Sequence, residues 1–388
     1  MAPSIAATAS SPVRNHRCGV SFPCFTSKTL AARALASNTT HLQISFHHLA
    51  KSPSIPPIHM NLKLGFDNYA LRAFGWKAPQ LVDHAAGLGL DALLLSDLEV
   101  FDRRDDASLR DLGRRARDLG LELHAGMLSI CPSSVLFDPR RGTACSQLRE
   151  TIRVASLVGS PVARCVLGKV DDRRRRGGIR ARIAETVKVL RGVRTFAIDR
   201  GIKVAVENHA GDMQSHELVA LIEGAGTDFV GATLDTGNAT WALEHPATVL
   251  ENLAPHALTT GIRDSALWET TEGAMLQWTA MGDGAVDWNP FFARFATLCP
   301  EVPVILETIS GRPIPIPFLR DDFWGAYEDA RPREFARFMG LLRGGKPRKP
   351  FRPDGGATRV RTEQRQQKSE LERSIRYCRE ALGLGRRK

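Results

Sequence analysis

Three short apolar runs in this sequence each end in a single carboxylic acid. The run VAVENH delivers Glu207, GATLDTGN delivers Asp235, and VILETIS delivers Glu307, all within about a hundred residues. In a parallel α/β barrel the carboxyl ends of the strands open on one mouth, where the reactive residues lie. Strand-end acids repeated in this way are therefore expected to converge on one centre.

The side chains that share a face with these acids follow from the alternation of a strand. Alternation groups Glu207 with His209 and lets Asp235 and Glu307 face the same centre. Three carboxylates cannot all stay ionised in a confined site without a cation, because burying unpaired charge is very costly. Oxygen ligands favour Mg²⁺ or Mn²⁺, with Zn²⁺ and Co²⁺ as further options. The alternative is that Arg164, Lys203 or Arg263 neutralises one or two of the acids.

The elements that must position these acids alternate regularly along the chain. From Met60 onward, short β-type runs and longer amphipathic stretches pass through eight cycles. Eight such units in about 250 residues predict an α/β protein with a (β/α)8 TIM barrel. A doubly wound open sheet is the alternative, but no GxGxxG follows the first strand. The predicted strands are Leu62–Phe66, Ala92–Leu95, Glu122–Met127, Val162–Leu167, Lys203–Glu207, Val230–Asp235, Leu258–Ile262 and Val302–Thr308.

The segment after the last predicted strand begins with the Pro-rich run GRPIPIPFLRDDFWG. Proline excludes a helix there, so we predict a long loop over the barrel mouth and a final helix from about Arg333. The barrel is assigned to residues 60–345, and residues 346–388 are a basic linker and tail helix. The tail carries a narrow apolar stripe of Leu371, Ile375, Cys378 and Leu382. A solvated or loosely docked helix is favoured over an arm for a partner or for nucleic acid.

The net charge of +11 belongs to the two ends of the chain. Residues 1–59 contain five Lys/Arg and no acid, residues 341–388 contain fifteen Lys/Arg and five acids, and the intervening barrel region is left with −4. A mildly acidic barrel argues against nucleic-acid binding in its core. No stretch approaches 18 uncharged apolar residues, so no membrane span is predicted.

The amino-terminal segment and the cysteines give information on the cellular compartment of the protein. Residues 1–59 are rich in Ser and Ala and lack acids, which is typical of an organelle transit peptide, although a disordered extension before a start at Met60 fits equally. The seven cysteines form no CxxC pair, which indicates a reducing compartment without a cysteine-based zinc site. The predicted location is the cytoplasm, with organelle import as the alternative.

Residues 60–340 carry five motifs that together resemble a known family. The motifs are VAVENHAGD, GATLDTGNA, TTGIRDSALW, AMGDGAVDW and VILETISGRP. Their order and spacing resemble the sugar phosphate isomerase/epimerase family, the xylose isomerase-like barrels. The resemblance implies a divalent metal held by Glu207, Asp235, a histidine and Glu307. The histidine position of the family's His-x-Lys/Arg-Asp pattern falls on Gly261, and the frequent DTGH ends here in Asn238.

The resemblance implies a metal-dependent isomerase or epimerase of a small sugar or polyol, acting through an enediolate. Glu207 and Glu307 would exchange the substrate proton, and His209 and Asn238 would bind substrate hydroxyls. His209 and His256 are the nearby histidines that could replace the missing ligand. The alternatives are a polyol-ketone dehydratase on the same barrel and a non-catalytic barrel whose metal site decayed at Gly261. An apurinic endonuclease is disfavoured, because its multi-zinc site needs many histidines. A homo-oligomer is left open.

Overall fold

The computed structural model describes residues 60–353 and 355–386. The transit-like segment predicted for residues 1–59 lies outside the described residues. The strands of the described part are β1 Leu64–Asp67, β2 Ala92–Leu95, β3 Glu122–Ser129, β4 Val162–Val166, β5 Lys203–Glu207, β6 Val230–Asp235, β7 Ala257–Gly261, β8 Asp264–Thr270, β9 Gly273–Thr279, β10 Val304–Leu306 and β11 Pro313–Ile316.

Eight of these strands form one parallel sheet in the order β10-β1-β2-β3-β4-β5-β6-β7. Each predicted strand is present, and β10 is the eighth strand of the sequence prediction. The sheet closes where Ile262 bridges to Leu306: the Ile262 amide donates to the Ile305 carbonyl at 2.7 Å, and the Glu307 amide donates to the Ile262 carbonyl at 3.0 Å. The predicted (β/α)8 barrel is confirmed.

The helices surround the barrel, and several of them begin with a capping side chain. Asp105 and Thr143 accept hydrogen bonds from backbone amides in the first turns of α2 and α3, which satisfies donors that a helix start leaves free. The helices of the described residues are α1 Ala78–Gly87, α2 Asp106–Asp118, α3 Ala144–Val158, α4 Gly178–Ile198, α5 Ser215–Ala225, α6 Thr236–Trp241, α7 Pro246–Leu253, α8 Trp288–Leu298, α9 Pro332–Arg343 and α10 Arg359–Glu380.

A second, three-stranded antiparallel sheet, in the order β11-β9-β8, was not predicted. The chain leaves β7, passes through Ile262 and Arg263, and enters the β8–β9 hairpin directly. The Pro-rich segment expected to be a loop contains β11, which pairs its Ile314 with Leu276 of β9. Prolines are tolerated in β11 because it is an edge strand, where the missing N–H groups face away from the ladder.

The tail helix α10 packs against the outside of the barrel. Leu371, Ile375 and Cys378 of the predicted stripe lie on α10, Leu382 lies just beyond its end, and all four are buried with the main core. The Gln367 side chain accepts a hydrogen bond from the Ala73 amide at 2.9 Å, and the Ser374 hydroxyl accepts one from the Met281 amide at 3.0 Å. The helix is therefore docked through both apolar and polar contacts. Among the described residues, no helix is both long and apolar enough to cross a bilayer.

We expect Leu371→Ala and Ile375→Ala each to lower the free energy of unfolding by about 2–5 kcal/mol, because each leaves a cavity in the core. Chemical denaturation of the full chain measures the effect. Arg376→Ala, on the exposed face of the same helix, is the matched control and should stay within about 0.5 kcal/mol of wild type. Equal stability of all three variants would contradict the docking of α10.

Candidate functional site

The three strand-end acids lie together in the mouth of the barrel. Glu207 is the last residue of β5, Asp235 is the last residue of β6, and Glu307 directly follows β10. All three are buried, and each offers a carboxylate oxygen within 4.8 Å of those of the other two. Parallel pairing brings the strand ends to one level, so the barrel itself concentrates this charge. The cluster could hold a metal ion.

Glu207 is neutralised by a buried arginine from the neighbouring strand. Arg164 of β4 donates from Nε to Glu207 Oε2 at 2.7 Å, and its terminal Nη2 donates to the same oxygen. A further Arg164 nitrogen donates to the Met127 carbonyl at 3.1 Å. Burial disfavours the charged guanidinium, but the charges of Glu207 and Asp67 outweigh it and raise the pKa of Arg164.

The other two acids share a second arginine. One terminal nitrogen of Arg263 donates both to Asp235 Oδ2 and to Glu307 Oε2. Burial lowers the pKa of the Arg263 guanidinium, yet the charges of Asp235 and Glu307 outweigh this and raise it. Two of the three bases that the sequence offered as partners thus pair with the acids. The third, Lys203, is exposed at the opposite end of β5 and is not among them.

The stem of Arg263 runs through space that a glycine leaves open. A Cβ at Gly237 would lie 2.2 Å from Arg263 Cγ and 2.4 Å from its Cδ. Trp278 of β9 covers the guanidinium, whose central carbon is 4.3 Å from the ring centroid, a cation–π contact. The Trp278 indole N–H donates to the Gly237 carbonyl at 2.9 Å. This hydrogen bond holds the ring that covers the guanidinium against the glycine that leaves room for the Arg263 stem.

Gly261 ends β7 and lies in register beside Asp235. A Cβ at this position would lie 2.6 Å from Asp235 Oδ2, the oxygen that accepts from Arg263. Any side chain at position 261 would therefore meet the acid cluster. His256 cannot substitute from its own position, because it lies just before β7, at the end of the strand away from the mouth.

Asn238 and His209 border the acids. The Asn238 side chain donates to Glu207 Oε1 at 3.1 Å, while its own carbonyl oxygen is buried without a hydrogen-bond partner. His209 Nδ1 lies 2.6 Å from the Gly168 carbonyl, so Nδ1 carries the proton and Nε2 is left as an acceptor. Burial, then the charge of Arg164, lowers the pKa of His209 to about 4, which keeps the ring neutral.

Asp67, a fourth acid at the mouth, was missed by the sequence analysis. It ends β1 and accepts hydrogen bonds from the Tyr69 amide and the Ser96 hydroxyl, each at 2.7 Å. Burial, then the charge of Glu307, raises the pKa of Asp67 to about 7. The first strand-like run, LKLGFD, ends in an acid like the other three, and this signal would have identified Asp67.

A cavity of about 640 Å³ is lined in part by Trp278, the residue that covers Arg263. Trp241 and Trp278 form part of its wall, and residues 309–317 form another part. The Pro-rich segment thus lines this cavity, and whether it covers the acids stays a prediction. The Gly282–Gly284 loop binds Asp264, whose carboxylate accepts from the amides of Gly282 and Gly284 at 3.0 Å.

The sequence matches the xylose isomerase-like TIM barrel family over residues 82–326. The chain belongs to this family. The resemblance drawn from the five motifs is therefore confirmed.

Two curated relatives are 23% and 22% identical to this xylose isomerase-like barrel. The first is the uncharacterized protein YihM of Escherichia coli K12, aligned over 52% of this chain and 56% of its own length. The second is the 3-oxo-isoapionate decarboxylase of Pectobacterium atrosepticum, aligned over 59% of this chain and 78% of its own length.

Solved structures share the fold at low sequence identity. A D-psicose 3-epimerase determined in the presence of D-fructose has a TM-score of 0.54 and 15% identity, and the match covers 83% of this chain and 100% of the epimerase. An L-ribulose 3-epimerase has a TM-score of 0.50 and 16% identity, with 80% and 98% covered. The probable 3-DHS dehydratase of Bacillus anthracis has a TM-score of 0.50 and 12% identity, with 64% and 93% covered. These likenesses establish the barrel fold.

The donor set fits a divalent ion that prefers oxygen. Three carboxylate oxygens converge, and the unpartnered carbonyl oxygen of Asn238 is a further buried acceptor beside Glu207. No imidazole is supplied at position 261, which makes the set all-oxygen and weakens the case for Zn²⁺. Arg263 already donates to two of the oxygens, so an ion would have to replace those two hydrogen bonds.

We expect Gly237→Ala to destabilise the chain by about 1–3 kcal/mol, because the new methyl group would overlap the Arg263 stem. Thermal and denaturant unfolding measure the change. Gly340→Ala is the matched control, since it lies within helix α9 and its Cβ would meet no atom within 4 Å. That variant should gain up to about 1 kcal/mol from helix propensity. A neutral Gly237→Ala would show that Arg263 does not use this channel.

Proposed function

We propose that this barrel is an isomerase or epimerase that moves a proton at the carbon next to a carbonyl group of a small sugar or polyol. The observation that carries the proposal is the approach of two carboxylates from separate strand ends, Glu207 and Glu307, within 4.8 Å at one buried mouth. Two acid/base groups that reach one carbon from different sides are what the inversion of a stereocentre requires. The epimerase fold of the structural neighbours agrees with this reading.

In this proposal one glutamate acts as a carboxylate and removes the proton, which leaves an enediolate. The other glutamate carries a proton at the start of the step and donates it to the opposite face. The cationic side chain beside Glu207, that of Arg164, would stabilise the negative charge that develops on the enediolate.

His209 and Asn238 are proposed to orient the substrate. His209 is neutral and presents Nε2 as an acceptor, because Nδ1 is used by the Gly168 carbonyl. Asn238 presents its unpartnered carbonyl oxygen, because its amide group is used by Glu207. Two acceptors beside the acids suit a substrate that donates hydrogen bonds from several hydroxyl groups.

A divalent ion is proposed as the cofactor, Mn²⁺ or Mg²⁺ before Zn²⁺ or Co²⁺. Glu207, Asp235 and Glu307 are the residues that would hold it. When bound, it would polarise the substrate carbonyl and acidify the neighbouring C–H group. The all-carboxylate donor set supports the preference for the harder ions.

A dehydratase acting on a polyol ketone is the second enzyme class that this site could serve. It begins with the same removal of a proton next to a carbonyl, and the acid pair would perform that step equally well. The two classes differ in the second half of the reaction, since an epimerase returns a proton to carbon and a dehydratase expels a hydroxyl group. A barrel that has lost catalysis would show neither reaction.

Proton exchange in deuterated water tests the proposal. With Mn²⁺ and a panel of ketoses that includes D-fructose, D-psicose and L-ribulose, we expect NMR to detect deuterium at the carbon next to the carbonyl of at least one sugar. Glu207→Gln and Glu307→Gln should each reduce the exchange rate by at least about 100-fold, because each removes a proton-transfer group.

Glu244→Gln is the matched control for this experiment. Glu244 is also a fully buried glutamate, but it is not a member of the acid cluster, and its oxygens accept from the amide and the hydroxyl of Ser215. Its replacement should leave the exchange rate within about threefold of wild type, the spread expected of a distant substitution. Exchange that persists in both active-site variants would contradict the proposed roles, and loss of a hydroxyl group from the product would replace the epimerase with the dehydratase.

A further inference from the structure

We infer that Arg263 is the resident cation of the acid cluster and that it competes with a divalent metal ion for Asp235 and Glu307. The inference uses the metal ligands of the proposed function, but it concerns binding rather than turnover. Its tests therefore need no substrate, and they can succeed or fail independently of the catalytic proposal.

The guanidinium of Arg263 occupies the position that a metal ion would need. One nitrogen of Arg263 donates to Asp235 Oδ2 and to Glu307 Oε2, so it lies between two of the three acids that face one another. A metal ion held by the same acids would need the space between those oxygens. The guanidinium and the ion therefore exclude each other on simple steric and electrostatic grounds.

The fold builds this position for an arginine. Gly237 leaves a channel for the stem, since a Cβ there would lie 2.2 Å from Arg263 Cγ. Trp278 covers the guanidinium with its ring and is itself fixed to the Gly237 carbonyl. A side chain that merely filled unoccupied space would not require a glycine on one side and a tethered indole on the other.

Gly261 is connected with the arginine through Asp235. A Cβ at position 261 would lie 2.6 Å from Asp235 Oδ2, the same oxygen that Arg263 uses. A ligand side chain at 261 and the Arg263–Asp235 hydrogen bond would therefore crowd one oxygen. The glycine thus leaves Asp235 Oδ2 to Arg263, and a side chain at position 261 would contest that oxygen with the guanidinium.

The arginine can also be displaced. Its Nε is buried and has no hydrogen-bond partner, so the guanidinium is incompletely satisfied where it lies. An ion that bound three carboxylates would compensate the charge that leaves with Arg263. We therefore expect weak metal binding to the wild-type chain and tighter binding once the competitor is removed.

Isothermal titration calorimetry with MnCl₂ tests the inference on the full chain after metal removal by a chelator. Arg263→Met should bind one Mn²⁺ per chain with a dissociation constant at least about tenfold lower than that of wild type. Arg164→Met is the matched control: it removes the same charge from the same cluster, but Arg164 donates to neither Asp235 nor Glu307. The affinity of Arg164→Met for Mn²⁺ should rise by less than that of Arg263→Met.

Three results of the calorimetry would overturn the inference. These are equal dissociation constants for wild type and Arg263→Met, equal gains in Arg263→Met and Arg164→Met, and an Arg263→Met chain that binds no Mn²⁺. Arg263→Gln, which is also neutral but retains a polar group, takes the place of the methionine variant if that variant does not fold. The same three results then apply to it.

Tryptophan fluorescence provides a second measurement on the unmodified chain. Mg²⁺ that displaces Arg263 should change the emission of Trp278, because the guanidinium leaves the face of that ring. The change should be absent in Trp278→Phe at the same Mg²⁺ concentration. Saturation of the site, established by calorimetry, without a Trp278-dependent change would overturn the inference.

Discussion

Three buried carboxylates at one point repel one another, and the rest of this mouth is arranged around their neutralisation. Arg164 binds Glu207 from the neighbouring strand, and Arg263 binds Asp235 and Glu307 from the end of β7. Without these partners the acids would be uncompensated buried charges, each of which costs several kcal/mol. The two arginines therefore decide whether the strand ends can stay packed as the barrel requires.

The need to bring Arg263 to the acids explains several features that otherwise look unrelated. Gly237 provides its channel, Gly261 leaves Asp235 open to it, and Trp278 covers it. Trp278 comes from the β8–β9 hairpin, which the chain enters immediately after Arg263. The added three-stranded sheet thus contributes directly to the site, and it also anchors the Pro-rich segment that borders the cavity. In this xylose isomerase-like barrel, the residues at the mouth are therefore arranged around the side chain of Arg263.

Most of the barrel could be predicted from the sequence, because each parallel strand is a buried apolar run with a distinct end. Glu207, Asp235 and Glu307 were expected to converge on this basis, and their carboxylates do lie together. The hairpin was missed because only Ile262 and Arg263 separate it from β7, so no turn signal divides the two elements. The burial of Ile375 and its neighbours in α10 could not be read from helical spacing, since the same stripe fits a solvated helix. Which cation neutralises the acids was left open because spacing cannot show where the long side chain of Arg263 reaches.

The central claim is that one cluster of three acids binds either a guanidinium or a metal ion. Crystal structures of the full chain, grown first without divalent ions and then with Mn²⁺, test it most directly through anomalous scattering. We predict that Arg263 bridges Asp235 and Glu307 in the metal-free crystals, and that with Mn²⁺ an anomalous peak appears among the three carboxylates while Arg263 has moved away. An anomalous peak at this cluster with Arg263 still bonded to both acids would contradict the claim, as would metal-free crystals in which Arg263 contacts neither acid.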